Sequence, residues 1–572
     1  MSKKAAKKTL PTISKDDQDL IDAMNVAGGN KTEAANILGI KRTTFRDRWA
    51  RLQQDVKPTS EKKNNKVQLI ESALAKAHGN KTQAAELLGM ARSTFNDTFD
   101  KVKDEIEGFY RKLPKKEVYV VTSAQNATPV NKPFFESLKK YCEAKNAELV
   151  IIPIRYKNPT SIFSLGDLTN DWWDTELLPY LCDVRTDLNK NLTLFADIKI
   201  QPTATNPLSG FDALGRDKSV ILGHTKLMLK TVPVPSHAFP KILTTTGCVT
   251  QSNYTQTKTG KKGDFHHSYS AIVVELDGDM FHLRQLNSVM DGSFIDLDYE
   301  YTPTGVKKAP PAAALIMGDT HAQFVEPSVM KATFEDKDSI VNLLKPEHLC
   351  WHDALDFYSK NHHNRGNPFI DYAKHNSGLN DVKKEVELTF NLVNKHTEKL
   401  NIKNIFPASN HPEALFRWIK ESDWRSDPVN AEFYLETALF MVKGTSMGDS
   451  GTITPDPFVY WGNKFLKKPQ NSVFLSRDQS FVISGVDVGS HGDLGPNGSR
   501  GSITNISKIG VKTVSGHSHS PGIYDGAYQV GTSSKLKLEY NRGPSGWLQT
   551  HCILYANGKR SLINIIKGKY KK

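Results

Sequence analysis

Aspartate and histidine side chains recur in short, ordered motifs between residues 311 and 572. In chain order these are Gly318-Asp319-Thr320-His321, His352-Asp353, Ser409-Asn410-His411, Ser490-His491-Gly492 and Gly516-His517-Ser518-His519. A two-metal site needs this mixture: carboxylate oxygens, imidazole nitrogens, one bridging acid and a neutral amide. The motifs therefore predict a centre for two divalent ions in this part of the chain.

Short apolar stretches precede most of these motifs and predict the strands that position them. They are residues 311–317, 402–406, 481–488 and 509–514. In open α/β sheets, sites assemble at the carboxyl ends of strands, so we expect an α/β domain with the polar groups at one edge.

The ordered set resembles the calcineurin-like metallophosphoesterases, whose pattern is D-x-H, G-D, G-N-H-D/E, H and G-H-x-H. The resemblance covers residues of about 312–555 and implies an α/β sandwich that holds two divalent ions, with Mn²⁺ as the expected metal. It implies that Asp319, His321 and His519 bind one ion, that Asp353 bridges, and that Asn410, His491 and His517 bind the other. His411 then resembles the catalytic residue that stabilises or protonates the leaving oxygen, and the implied reaction is in-line attack on a phosphoester.

Two positions depart from that family pattern. His352 stands where the family usually has glycine, and the nearby Asp356 is a rival for the bridging role of Asp353. The acid that normally follows the histidine of the third motif is displaced to Glu413, which suggests a retuned general acid. A degenerate fold without metals is the alternative for the whole set. The extra histidines are interpreted as surface residues: His362, His363 and His375.

A repeat at the front of the chain predicts two helix-turn-helix units. Residues 29–49 recur as residues 79–99, with 12 of 21 positions identical on comparing the two stretches. Asn30 or Asn80 can cap a first short helix, and Gly39 or Gly89 can end it in a left-handed turn. We expect Ile37, Leu38, Phe45 and Trp49, with Leu87, Leu88, Phe95 and Phe99 in the copy, to form the small cores.

The repeat resembles the Fis-type helix-turn-helix, whose signature is GNxTxAAxxLGxxRxTF. That resemblance implies DNA as a partner, contacted from the start of each second helix. The alternative is a helical hairpin used only for protein contacts. The first copy, richer in arginine, is expected to make the tighter phosphate contact. The expected DNA-contacting residues are Lys41, Arg42, Thr43, Thr44, Arg46 and Arg48, then Arg92, Ser93 and Thr94.

Composition bounds the class of protein. The 572 residues are 38% hydrophobic and 24% charged, which excludes a wholly disordered chain. The net charge is +13, and residues 1–114, with 22 Lys+Arg against 15 Asp+Glu, supply +7 of it. That imbalance favours a polyanion partner, although a solvated lysine-rich surface is the alternative. No apolar run reaches the ~20 residues of a membrane span, and five scattered cysteines favour a reducing compartment, so we expect a cytoplasmic protein with no membrane partner.

The expected organisation is multidomain. Helix-turn-helix units at 1–57 and 58–114 precede a central α/β domain of unknown role at 115–310 and the metallophosphoesterase domain at 311–572. In the central part, residues 118–154 predict a βαβ unit. Residues 260–267, Gly-Lys-Lys-Gly-Asp-Phe-His-His, form the one local cluster there that could contact phosphate, although a solvated turn is the favoured interpretation.

Together these features predict a DNA-directed metal-dependent phosphodiesterase. Within the phosphoesterase family the chain resembles the SbcD-type nucleases, which often pair, so a homo-oligomer is a further expectation. Its layout also resembles the DNA-transfer nucleases that some large tailed phages make, which would place it in the host cytoplasm. Two alternatives stay open: a phosphomonoesterase or cyclic-nucleotide phosphodiesterase held on DNA, and a DNA-binding regulator whose metal domain is not catalytic.

Overall fold

The computed structural model describes residues 15–27, 30–54, 66–67, 69–74, 77, 81–102, 113–158, 172–449 and 451–572. The chain divides into two units, Met1–Ser72 and Ala73–Lys572. The first predicted helix-turn-helix belongs to one unit, and most of the second belongs to the other. Gly29, Gly79 and the predicted cap Asn80 lie outside the described residues.

The first unit holds the helices α1 (Lys15–Val26), α2 (Lys31–Ile37) and α3 (Arg42–Gln54). The Asn30 side chain accepts hydrogen bonds from the backbone amides of Thr32 and Glu33, at 3.0 and 3.5 Å, and so caps α2 as predicted. Gly39, with φ of 65°, makes the left-handed turn into α3. Small residues on α2 let Phe45 pack close, and the core consists of Leu20, Ala23, Ala27, Ala34, Ala35 and Phe45.

The second repeat has the same local structure, with α4 (Lys81–Leu87) and α5 (Arg92–Val102) joined through Gly89 at φ 62°. The Phe95 and Phe99 rings stack at 6.2 Å. The predicted core positions Ile37 and Leu87 were wrong, because they are 49% and 57% exposed. Each is the last residue of its short helix, and the buried residues of these two-turn helices are the alanine pairs alone.

Strands of the second unit up to residue 308 are β1 (Val118–Gln125), β2 (Glu148–Ile154), β3 (Thr186–Asp187), β4 (Leu192–Phe195), β5 (Ser219–Leu222), β6 (Leu229–Val232), β7 (Lys241–Thr245), β8 (Ser270–Asp277), β9 (Met280–Asn287), β10 (Phe294–Asp296), β11 (Tyr299–Thr302) and β12 (Gly305–Lys308).

The later strands are β13 (Ala314–Ile316), β14 (His348–Cys350), β15 (Lys403–Phe406), β16 (Ser446–Gly448), β17 (Gly451–Ile453), β18 (Ser472–Phe474), β19 (Val482–Ile483), β20 (Val486–Asp487), β21 (Thr513–Ser515), β22 (Gly522–Tyr524), β23 (Ala527–Gln529), β24 (Thr550–Leu554) and β25 (Arg560–Asn564).

These strands form five sheets in the described residues. The orders are β2-β1-β8-β9, β10-β11-β12, β18-β15-β14-β13-β24-β25, β16-β17 and β19-β20-β21-β23-β22-β6-β7-β5-β4-β3. The predicted βαβ unit is confirmed, since β1 and β2 are parallel and joined by α6 (Lys132–Lys145). In the six-stranded sheet, β13, β14, β15 and β18 run parallel, so their carboxyl ends meet at one edge.

Alternate residues of β13 face opposite layers, as the two-residue period of a strand requires. Leu315 joins the core that the six-stranded sheet shares with helices, whereas Ala314 and Ile316 join the core that it shares with the ten-stranded sheet. The result is a layered α/β structure in which helices pack on one face of the six-stranded sheet and the ten-stranded sheet packs on its other face.

The boundary predicted at residue 310 does not separate two folds. The ten-stranded sheet takes β3–β7 from residues 186–245 and β19–β23 from residues 482–529, and β22 pairs directly with β6. Residues 115–310 therefore complete the layers of the C-terminal part. Pairing between strands almost 300 residues apart leaves no local sequence pattern from which it could be predicted.

The other helices of this unit lie mainly in the segments that connect the strands. They are α7 (Lys258–Phe265), α8 (Pro327–Met330), α9 (Ile340–Leu344), α10 (Pro368–Asn376), α11 (Val382–Thr397), α12 (Asn410–Glu421), α13 (Ala431–Gly444), α14 (Pro457–Phe465) and α15 (Ile503–Ile506). Residues 260–265, interpreted as a turn, are helical in α7. Within the described part of the chain, no helix combines the length and apolar composition that a membrane crossing requires.

Candidate metal centre and DNA-contacting helices

The predicted metal-binding motifs follow the carboxyl ends of parallel strands. Asp319 and His321 follow β13, Asp353 follows β14, and Asn410 and His411 begin α12 after β15. In the ten-stranded sheet, β20 and β21 are also parallel. The loops after these two strands carry His491, His517 and His519.

One group of ligand atoms closes around a common point. His321 Nε2 and His519 Nε2 face each other at 2.9 Å, and His519 Nε2 lies 3.1 Å from Asp319 Oδ2. Bonds of about 2.1 Å to one ion place neighbouring ligand atoms about 3 Å apart in octahedral geometry. These three buried residues therefore fit a single divalent ion.

A second group includes Asp353. Its Oδ2 lies 3.0 Å from His491 Nε2, and ligand atoms of Asp319, Asp353 and His491 all lie within 4.8 Å of one another. Asp353 also groups with His321 and His411. The Asp353 carboxylate therefore lies beside ligand candidates on both sides, which is the position that a bridging ligand requires.

Unpartnered oxygens in this region have the chemistry of a cation site. Asn410 Oδ1, Asp319 Oδ1 and Asp353 Oδ1 are buried without a hydrogen-bond partner among the described residues. A buried oxygen that accepts nothing costs free energy, which an ion would recover. Gly516 leaves room for the group, because a Cβ there would lie 2.1 Å from Asp319 Oδ1.

Four residues of the cluster have left-handed backbone. His321, Asp353, His517 and His519 have φ of 44°, 38°, 77° and 57°. Left-handed backbone is costly for residues other than glycine and persists where the surrounding structure imposes it, commonly at functional sites. His551 fixes the start of the first of these loops, since its Nδ1 accepts a hydrogen bond from the Gly318 amide at 2.9 Å, next to Asp319.

Burial and charge act in opposite directions on the titration of this cluster. Burial would raise the pKa of Asp353, but His491 and His411 lower it well below its usual range. Burial would lower the pKa of His491, yet Asp353 raises it to about 9. Burial and the neighbouring His491 lower the pKa of His352 to about 4, so His352 is neutral at pH 7.

Asp356 contacts two of the clustered histidines at their Nδ1 atoms. Its Oδ1 lies 2.7 Å from His321 Nδ1, on the far side of that ring from His519. Its backbone carbonyl accepts a hydrogen bond from His411 Nδ1 at 2.6 Å, which leaves His411 Nε2 facing Asp353 at 4.0 Å. Asp356 belongs to none of the three ligand groups in the described residues, so the geometry favours Asp353 for the bridging role.

Glu413 does not orient His411. Both of its carboxylate oxygens bind the Arg477 guanidinium, which also binds Asp493 at 2.6 Å. The acid displaced by one residue thus lies on a different side of α12, and the backbone carbonyl of Asp356 takes its place beside the histidine.

His517 is less tightly integrated than the other expected ligands. Its ring lies edge-on to His491, with centroids 5.4 Å apart, and its amide donates to Asp319 Oδ2 at 2.7 Å. It belongs to none of the three ligand groups found in the described residues. His362, His363 and His375 are exposed, as predicted.

Two aromatic residues beside the cluster escaped prediction. Trp547 lies edge-on to His519 at 4.1 Å, and Tyr540 lies 6.0 Å from Trp547. Glu539, in the same loop, connects it to residues 358–364. Its Oε2 accepts hydrogen bonds from Tyr358 at 3.1 Å and from Asn364 at 3.3 Å. Nothing in the local sequence, an ordinary polar loop, indicates this proximity.

Exposed side chains line the start of the second helix in both repeats. All nine predicted DNA-contacting residues are exposed, while Phe45 and Phe95 on the same helices are buried. Arg46 lies 3.8 Å from its neighbour Asp47, in solvent, where such a pair is weak. The helices are thus anchored by one face and present cations and hydroxyls on the other.

Comparison with known proteins supports the two helix-turn-helix repeats. Residues 18–52 and 68–96 match the family described as bacterial regulatory protein, Fis family. The helix-turn-helix assignment is confirmed, and DNA is supported as a partner. The chain is also 33% identical, over 465 residues, to Protein A1 of Escherichia phage T5, an alignment that spans 79% of this chain and 82% of the relative. Identity at that level over most of both chains shows that this protein belongs to the family of phage T5 Protein A1.

Proposed function

We propose that this protein is a metal-dependent deoxyribonuclease that cleaves phosphodiester bonds at the cluster around Asp319 and Asp353. The observation that carries the proposal is the convergence of buried carboxylates and imidazoles at spacings that suit divalent ions, on a chain with two Fis-family segments.

Asp319, His321 and His519 would hold one divalent ion and Asn410, His491 and His517 the other, with Asp353 between them and Mn²⁺ as the expected metal. Bound there, the ions would supply Lewis-acid charge for in-line hydrolysis of a phosphodiester. His321 and His491 keep their ring orientation through Asp356 and His352, respectively, at 2.7 and 3.2 Å.

His411 is positioned to act on the leaving oxygen. Its Nδ1 proton is committed to the Asp356 carbonyl, so Nε2 is the atom that faces the cluster. A ring in this tautomer takes up a proton at Nε2 and can give it to a departing alkoxide. The side chain is 18% exposed, which leaves it accessible to a substrate.

The aromatic pair favours a nucleic-acid substrate over a small phosphate ester. Tyr540 is 40% exposed and stands beside Trp547, which contacts the ligand candidate His519. Exposed rings at the edge of a site can stack with bases, whatever the sequence.

The test is to incubate the full-length protein with supercoiled and linear plasmid in EDTA, Mg²⁺ or Mn²⁺. We expect Mn²⁺-dependent breakdown that Asp319→Ala abolishes and that Asp279→Ala, a change of an exposed acid, leaves intact. Comparison of the two plasmid forms separates nicking from digestion of ends. Turnover of p-nitrophenyl phosphate with DNA left intact would instead establish a monoesterase, and a sequence-specific gel shift without any turnover would establish a regulator.

A further inference from the structure

A polar pocket lies in the unit Ala73–Lys572, which also holds the metal cluster. None of the residues that line this pocket belongs to that cluster. The pocket has a volume of about 640 Å³, within the range of about 300–1,000 Å³ usual for small-ligand sites. Lys512 lines it immediately before β21, whereas Gly516 and His517 follow the same strand. The pocket and the metal cluster are therefore at opposite ends of β21.

The charges of this basic pocket are unbalanced. Its cationic wall consists of Lys508, Lys512, Lys559 and Arg560, and none of the carboxylates in the described ranges forms an ion pair with these four. The single acid of the lining, Asp525, binds Lys226 and approaches His266 at 3.5 Å.

The surroundings of Lys559 disfavour its charged form. Burial, together with the charges of Lys512 and Arg560, lowers the pKa of its ammonium group. Arg560 is held rigidly, because its Nη1 donates to the carbonyls of Thr513 and Gly526 at 2.8 and 2.7 Å. Like charges crowded in this way without an acid form a site that an anion would stabilise.

An aromatic ring stands at the rim. Phe265 is 84% exposed and packs edge-on against His266, with centroids 5.0 Å apart. It ends α7, within the cluster at residues 260–267, and it lines the same pocket as the lysines. Cations for phosphate beside a ring for stacking match the two parts of a nucleotide.

We propose that this basic pocket binds a nucleoside phosphate, with the phosphate on Lys512 and Lys559 and the base against Phe265. The ligand is either a free nucleotide or one nucleotide unit of a DNA strand. Binding here requires no hydrolysis, so the proposal stands independently of the nuclease proposal.

The test measures binding to the full-length protein in EDTA by calorimetry, with dAMP, deoxyadenosine, inorganic phosphate and a short single-stranded oligonucleotide as probes. Lys512→Gln with Lys559→Gln should weaken dAMP binding at least about tenfold, the loss expected for two charge-assisted contacts. Lys443→Gln, a change of an exposed lysine near the end of α13, is the control. Phe265→Ala should weaken dAMP but not inorganic phosphate.

The outcomes separate the two sources. A loss for dAMP establishes a free-nucleotide site, and a loss confined to the oligonucleotide establishes a site for a strand. Equal binding of every probe by the wild type and the lysine double variant would overturn the proposal. Both lysines reach solvent, and an unchanged melting temperature verifies that the variant is folded.

Discussion

His411 illustrates how one residue can keep its place when its usual partner is displaced. The carboxylate of Glu413 is engaged with Arg477, so the Nδ1 proton of His411 goes to the backbone carbonyl of Asp356. A carbonyl fixes the tautomer as a carboxylate would, so the orientation of the His411 ring is retained.

Replacing His411 by alanine should separate proton transfer from metal binding. Loss of a positioned acid costs about 10²- to 10⁴-fold in kcat, whereas manganese content should stay near that of the wild type. The measurements are single-turnover DNA cleavage and bound Mn²⁺ by atomic absorption. His363→Ala, an exposed histidine, is the control and should cleave normally. If His411→Ala lost its manganese as well, His411 would be a ligand and the acid would have to be sought elsewhere.

At the scale of elements, strand ends and the local β1–β2 pairing could be predicted, but the partners of strands distant in sequence could not. Apolar runs before Asp319, Asn410, His491 and His517 indicate strands because they are local, and the repeat around Gly39 and Gly89 indicates two helical hairpins for the same reason. The order β22-β6 and the shared layers depend on contacts between distant segments. Asp356 lies within the predicted motif, but its role depends on which ring nitrogen of His321 it contacts. The spacing of residues in the sequence does not determine that contact.

A buried ion cluster joins three strands, β8, β9 and β10. Arg284 on β9 binds Glu275 on β8 at 2.8 Å and Asp296 on β10 at 2.7 Å, and the side chains are almost wholly buried. Burial would raise the pKa of Glu275, but Arg284 lowers it to about 2. Since the folded pKa is depressed, this contribution to stability is present above the usual range near 4.5 and is lost as the pH falls toward 2.

Arg284→Met should therefore destabilise the second unit by about 3–5 kcal/mol at neutral pH, because it leaves two buried carboxylates unpaired. Thermal unfolding followed by circular dichroism should show a lower Tm, and the difference from wild type should shrink as the pH falls below about 4. Lys190→Met, which removes an exposed pair with Asp279, should change stability by less than about 1 kcal/mol. An unchanged Tm for Arg284→Met would show that the cluster contributes nothing net to folding.

At the scale of the whole molecule, the chain combines exposed cations in its helix-turn-helix repeats with a buried cluster of candidate metal ligands. Residues 1–114 supply +7 of the net charge of +13, and the predicted DNA-contacting cations there are exposed, whereas the carboxylates of the metal cluster are buried. Phosphate contacts made by exposed cations release counterions and are weakened by salt, but contacts to buried metal ions are screened far less. Capture of DNA and its cleavage should therefore respond differently to ionic strength.

The last prediction uses that difference to test whether the repeats deliver DNA to the metal centre. In the full-length protein, Arg42→Ala with Arg46→Ala and Arg48→Ala should reduce the slope of log K against log salt by about 0.9 for each phosphate that the variant no longer neutralises. Arg92→Ala in the second repeat should reduce that slope by about 0.9 at most, since it removes a single cation. Filter binding in EDTA gives the slopes, and Mn²⁺-dependent cleavage at raised salt should fall in the same order. If cleavage at raised salt were unchanged in the triple variant and after deletion of residues 1–114, the repeats would serve something other than substrate capture.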